Sequence, residues 1–183
     1  MFIYTHEYLF YIALVVSIVS LYSLACYPEL ARSVPLNYIL LTVFTITEGY
    51  VLATFTTMFK PMSVLSAAVI TTAIVIGLTA YAFYTSTDFT YGGGMLFMLG
   101  MGLIAASLLG IFFESKTYDL IISLGFALLF GIYLIYDTQL IIGGEGRAAS
   151  YSIDDYVLAA VNLYLDIINM FIEILKIIGD RRD

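Results

Sequence analysis

Six long, mostly apolar stretches run through this chain, and each is long enough for a helix to cross a lipid bilayer. The first runs through 19 uncharged residues, Tyr8 to Cys26, where a hydrocarbon layer about 30 Å thick takes about 20 helical residues. The others run from Asn37 to Phe59, Met62 to Tyr84, about Met95 to Phe113, Leu120 to Ile142 and Ser152 to about Ile178. None alternates long enough to compete as a strand. Of 183 residues, 62% are hydrophobic and 11% charged, against roughly 45–50% and 25% for a soluble domain. The expected fold is all-α: a polytopic helical membrane bundle of about six transmembrane helices, one domain over residues 1–183.

Polar and helix-breaking residues mark the connections. Pro28, Glu29, Arg32 and Pro35 follow the first stretch, and Lys60 and Pro61 the second. Asp88 and Gly92 to Gly94 follow the third, with Asp88 read as a helix cap. Glu114, Lys116 and Asp119 read as a short polar connection before the fifth, which Gly143 and Gly144 end as glycine commonly ends helices. Ser152 with Asp155 three places on forms a capping-box pattern that starts the sixth. Gly100, Gly102, Ala105, Ala106, Ser107 and Gly110 give the fourth stretch a small-residue surface of the kind that lets membrane helices approach closely. The first stretch is read as a span and not as a cleaved signal peptide, because His6 and Glu7 stand where a basic flank would be.

Several function classes drop out on charge and residue supply. A net charge of −7, with no basic cluster beyond Arg181 and Arg182, argues against nucleic acid. One cysteine, Cys26, and one histidine, His6, leave little for a metal cage, so no cofactor is expected. Gly143, Gly144, Glu145 and Gly146 lack the lysine and the preceding strand of a phosphate-binding loop. The 16 tyrosines and 13 phenylalanines are accounted for by interfacial belts and helix packing.

The chemistry concentrates in the last stretch. At about 100° per residue, Asn162, Asp166, Asn169, Glu173 and Lys176 fall within roughly 40° of one line, forming a polar stripe that must face protein or water. Asp166 lies near mid-membrane, where a carboxylate costs at least about 2.5–3.5 kcal/mol on insertion scales. Asp137 lies roughly 7 Å inside the end of the preceding stretch. If the two carboxyls touch, like charges prevent both from ionising freely, and the pair shares a proton as a candidate pH switch. The alternative is that Asn162, Asn169, Gln139 or a backbone group satisfies each acid separately. Glu48 reads equally as a pathway-lining carboxylate or as a neutral hydrogen-bonded acid, and Arg32 reads first as a topology anchor.

The C-terminal third is specific enough to suggest a family. Tyr136, Asp137, Thr138, Gln139, Leu140, Ile141, Ile142, Gly143 and Gly144 carry one half of the match. Asp155 to Ala160 and Asn162 to Asn169 carry the other. Together they closely resemble the signature of the transmembrane BAX inhibitor motif family, the lifeguard branch above all. Weaker similarity through Arg32 to Asn37, Phe44 to Gly49 and Thr87 to Thr90 extends it over nearly the whole chain. The resemblance implies seven helices with a central polar C-terminal one, calcium leak across endoplasmic reticulum, Golgi or bacterial membranes, and suppression of cell death in eukaryotes. It implies that Asp137 and Asp166 are a proton-sharing pair that senses pH, with Arg32 near a basic latch; from the residues themselves, Arg32, Glu48, Asn162, Asn169 and Glu173 are candidates to support or latch that pair. Two departures stand out: Ala31 occupies a place where relatives often have a second basic residue, and the first stretch resembles the family's second helix.

The leading expectation is a pH-sensitive calcium-permeable leak channel of an intracellular membrane. Its partners would be the bilayer, calcium as the permeant ion and membrane proteins that regulate cell death. The alternative is a non-conducting scaffold that regulates apoptosis through such partners. A secondary transporter lacks the expected repeated broken helices. An intramembrane aspartyl protease is matched only at Tyr136 and Asp137, so no enzyme is expected. Counting Lys and Arg over alternate connections sets Lys60, Lys116, Arg181 and Arg182 on the side of both termini, and Arg32 and Arg147 on the other, which places the termini in the cytosol.

Overall fold

The computed structural model describes residues 7–112, 115–144 and 147–182. His6, Phe113, Glu114, Glu145, Gly146 and Asp183 lie outside the described residues. Seven α-helices occur among those described: α1 Glu7–Cys26, α2 Pro28–Arg32, α3 Leu36–Thr56, α4 Pro61–Tyr84, α5 Gly93–Leu109, α6 Lys116–Ile142 and α7 Tyr156–Ile178. All but the short α2 belong to six spans long and apolar enough to cross a membrane. Short 3-10 turns extend α5 at both ends, making one span of Phe89–Phe112, and Ile153–Asp155 leads into α7.

Three boundaries differ from the sequence reading. α3 stops at Thr56, because the next three amides turn back three residues instead of four, Thr57 to Thr54, Met58 to Phe55 and Phe59 to Thr56. The fourth span begins at Phe89, where the Asp88 side chain accepts from the Thr90 N–H at 2.9 Å. Lys116 and Asp119 belong to the first turn of α6 and not to a connection, since the Ser115 side chain caps that helix.

Two compact units make up the chain. The first comprises Met1–Lys60, Ser152–Val161 and Arg181–Asp183. In it α1 packs along α3 through a stripe at spacings of four and three residues, Ala13, Ser17, Ser20 and Leu24, all buried. The large side chains of α1 point the other way: Tyr11, Ile12, Val15, Ile18, Val19 and Tyr22 are all more than half exposed. Small and polar inside with large and apolar outside suits a helix whose outer solvent is hydrocarbon.

The second unit comprises Pro61–Tyr151 and Asn162–Asp180. Here α6 packs against both α4 and α5. Close approach rests on small residues on each side: a β-carbon at Gly131 would meet Leu78 at 3.2 Å, and one at Gly125 would meet Leu103 at 2.9 Å. The small-residue surface expected on α5 is used in part. Gly100 lies against Leu129 and the Ala106 carbonyl accepts from the Tyr118 hydroxyl at 2.6 Å, whereas Gly102 and Ala105 are exposed. The last span is the most enclosed, with 44% of its apolar window buried against 28% for the next. The protein is a multi-pass membrane protein with a polar, enclosed C-terminal helix.

Candidate functional site

α6 carries Asp137 near its end and α7 carries Asp166 near its middle, and both side chains are buried, each residue 6% exposed. The two acids stand on the wall of one cavity. Oδ2 of Asp166 has no hydrogen-bond donor from the protein, and a proton held between the carboxyls would supply one.

Both acids line a cavity of about 440 Å³. Tyr133, Tyr136, Asn162 and Asn169 line it as well, with Phe130, Leu140 and Leu165 giving it an apolar side. The remaining wall is Tyr151, which comes from the connection between the last two spans. Its hydroxyl accepts from Asn162 Nδ2 at 2.6 Å and donates to Asp137 Oδ1 at 3.5 Å. Burial pushes the Tyr151 hydroxyl above the usual phenol range, and the neighbouring Asp137 charge adds to this. It therefore remains a proton donor wherever the carboxyls titrate.

The connection that supplies Tyr151 is tied down by backbone and side chain. Gly143 and Gly144 take φ of 58° and 104°, which turns the chain sharply at the end of α6. The Tyr151 N–H then returns to the Leu140 carbonyl at 2.9 Å. Midway, the Ala148 N–H donates to Asp88 Oδ2 at 2.9 Å and to Thr90 Oγ1 at 3.0 Å. Arg147 reaches the Thr87 carbonyl at 3.2 Å and Asp88 at 3.7 Å. Gln139, fully buried, accepts from the Phe89 N–H at 2.8 Å and donates to the Thr87 carbonyl at 3.0 Å. It serves this clasp and is not a partner of either acid.

The other residues singled out in the sequence go elsewhere. Glu173 is buried on α7 and accepts from Lys176 at 2.7 Å, roughly 10 Å along the helix from Asp166. In the first unit Glu48 accepts from the Ser17 hydroxyl at 2.6 Å, and Arg32 pairs with Asp155 at 2.8 Å. Asp155 also closes the expected capping box with Ser152. Tyr151 is the residue that sequence reasoning missed. The one signal for it was a tyrosine set among small polar residues between two acid-bearing spans, away from any apolar run.

Residues 1–183 match the family described as inhibitor of apoptosis-promoting Bax1. The chain belongs to this family. Human protein lifeguard 3 is 34% identical over 177 residues, covering 94% of this chain and 56% of the relative. Mouse protein lifeguard 4 is 40% identical over 142 residues, covering 78% and 57%. The Golgi anti-apoptotic protein of vaccinia virus strain Lister is 40% identical over 144 residues, covering 79% and 58%. The chain thus spans somewhat more than half the length of these relatives. For the Bax1-inhibitor family, membership agrees with the resemblance read from the motifs around Asp137 and Asp166.

Proposed function

We propose that this Bax1-inhibitor family member is a pH-sensitive calcium-permeable leak channel of an endoplasmic reticulum or Golgi membrane, gated by Asp137 and Asp166 and acting to suppress cell death. The observation that carries this reading is the placing of two buried carboxyls, from α6 and α7, on the wall of one cavity. A shared proton holds the carboxyls together and leaves one negative charge; its loss leaves two like charges that repel in a poorly screened interior. Raising pH therefore favours separation of α6 and α7 at this level and a cation path lined by acids, and lowering pH closes it. Calcium is the permeant ion in this reading, not a resident cofactor. Suppression of cell death and the organelle rest on the names of the relatives, among them a Golgi anti-apoptotic protein.

The test is calcium release from liposomes across a pH series. Asp137→Asn and Asp166→Asn each keep side-chain shape while removing one ionisable group, and each should flatten the pH dependence of flux. The double variant should be little worse than the more severe single, because partners in one unit are non-additive. A wild-type pH profile in both folded single variants would assign the aspartates to helix packing. Absence of calcium release by the wild-type protein would favour the non-conducting scaffold.

A further inference from the structure

The tyrosine walls of the cavity rest on α5, and one contact there has no slack. Tyr136 and Gln139 stand three residues apart, on one face of α6. That face grips the start of the fourth span twice. Gln139 accepts from the Phe89 N–H at 2.8 Å, and four residues later Gly93 meets the end of Tyr136. A β-carbon at Gly93 would lie 2.8 Å from the Tyr136 hydroxyl oxygen and 3.3 Å from its Cζ. Gly93 takes φ −53° and ψ −44°, ordinary helical backbone that L-residues adopt freely, so conformation does not call for glycine. On either side of it, a β-carbon at Gly92 or Gly94 would meet nothing within 4 Å. Farther along α5, one at Gly100 would stand 3.8 Å from the Tyr133 hydroxyl, an ordinary contact.

We infer that Gly93 is a positioning residue of this site: its bare α-carbon seats the end of Tyr136 and keeps that ring in the cavity wall, leaving the space beside Asp137 open to a small cation. With any side chain at position 93, one partner must move. The Gln139 hydrogen bond pins the start of the span to α6, so the ring is the part that gives. Its hydroxyl end is stopped by α5 and its flank by Tyr133, whose ring stands at 85° with centroids 6.5 Å apart. The free volume next to it is the cavity, and the ring turns into it. The effect on calcium passage rests on the leak-channel reading, whereas the opening of the cavity does not.

The rate at which a small cationic thiol reagent, 2-aminoethyl methanethiosulfonate, modifies Leu165→Cys in the reconstituted full chain reads that opening without measuring flux. Leu165 lines the same cavity, and Cys26→Ser removes the exposed native thiol. Gly93→Ala should slow modification several-fold with Tyr136 present and change it little in a Tyr136→Phe background, where the oxygen at 2.8 Å is gone. Gly94→Ala makes the same substitution in the same helix, and Gly100→Ala puts a β-carbon near the other tyrosine; neither should slow it. A change in helix propensity alone would act at Gly94 as it does at Gly93. If Gly93→Ala does not fold, adding Tyr136→Phe should restore folding and the rate of Tyr136→Phe alone. In liposomes Gly93→Ala should lower calcium release several-fold and keep its pH dependence, since both aspartates remain. Wild-type protein without calcium release sinks the leak-channel reading and leaves the modification rates to decide the role of Gly93. Equal rates for Gly93→Ala and Gly94→Ala, slowing that persists with Tyr136→Phe, or a Leu165→Cys thiol out of reach with Gly93 in place overturns the inference.

Discussion

Through one hydroxyl Tyr151 links an amide on α7 to a buried acid on α6. It takes the Asn162 amide at 2.6 Å and offers its proton to Asp137 at 3.5 Å, so it joins the polar stripe of α7 to the carboxyl of α6. Tyr151→Phe keeps the ring and removes that link. Asn162 loses its partner in a half-buried setting, and an unsatisfied polar group costs about 1–3 kcal/mol. Thermal unfolding in detergent should register a lowered midpoint for Tyr151→Phe. Asn162→Leu removes the orphaned amide, so the double variant should cost less than the sum of the singles. Additive losses would show that the two side chains do not act together.

The clasp between the end of α4, the start of the fourth span and the connection after α6 belongs to the element scale. Gln139 is its buried centre. Gln139→Leu would strand the Phe89 N–H, whereas the Thr87 carbonyl keeps Arg147, so a loss on the order of 1–3 kcal/mol is expected, readable as faster proteolysis of the connection around Arg147. Asp88 behaves differently. The Thr90 hydroxyl holds its carboxyl below the usual range, helped by the Thr90 and Ala148 N–H groups and by Arg147, against an opposing effect of desolvation. A depressed folded value means that its contribution is fully present above the ordinary aspartate value of about 3.9 and is lost as pH falls through the lower folded value. Across about pH 5 to 8 the clasp stays charged. Asp88→Asn should therefore leave the pH profile of calcium flux unchanged in shape, whereas the Asp137 and Asp166 variants flatten it; a flattened profile in Asp88→Asn would shift the sensor to the clasp.

At the scale of the whole molecule, orientation in the bilayer is the open physical quantity, and the chain carries its own probe. Cys26 is free and exposed at the last residue of α1, on the Arg32 side of the first span. The positive-inside count places that side away from the cytosol. A membrane-impermeant maleimide should label Cys26 only from the lumenal side of sealed vesicles. Labelling of intact cytosol-side-out vesicles would reverse the orientation and put the Arg32 and Arg147 connections in the cytosol.

The number of spans, most of their limits to within about four residues, the capping box at Ser152 and the polar stripe of α7 were legible in the amino-acid sequence, whereas the fourth span begins six residues before the expected Met95. Each follows from local physics: hydrocarbon thickness sets run length, helical periodicity aligns Asn162, Asp166 and Asn169, and glycine ends α6. The early stop of α3 and the start of α6 at Lys116 were less legible, because they depend on turn hydrogen bonds and on one serine cap. Which polar group meets which was decided only by tertiary structure. Gln139 could have served an acid and instead holds a loop, Arg32 found Asp155, and Tyr151 entered the cavity because Asp88 and Thr90, some sixty residues earlier in the chain, fasten Ala148. Periodicity fixes the face a side chain occupies on its own helix, but a buried donor is satisfied by whichever acceptor the packed chain brings within about 3 Å, and that distance is not written along the sequence.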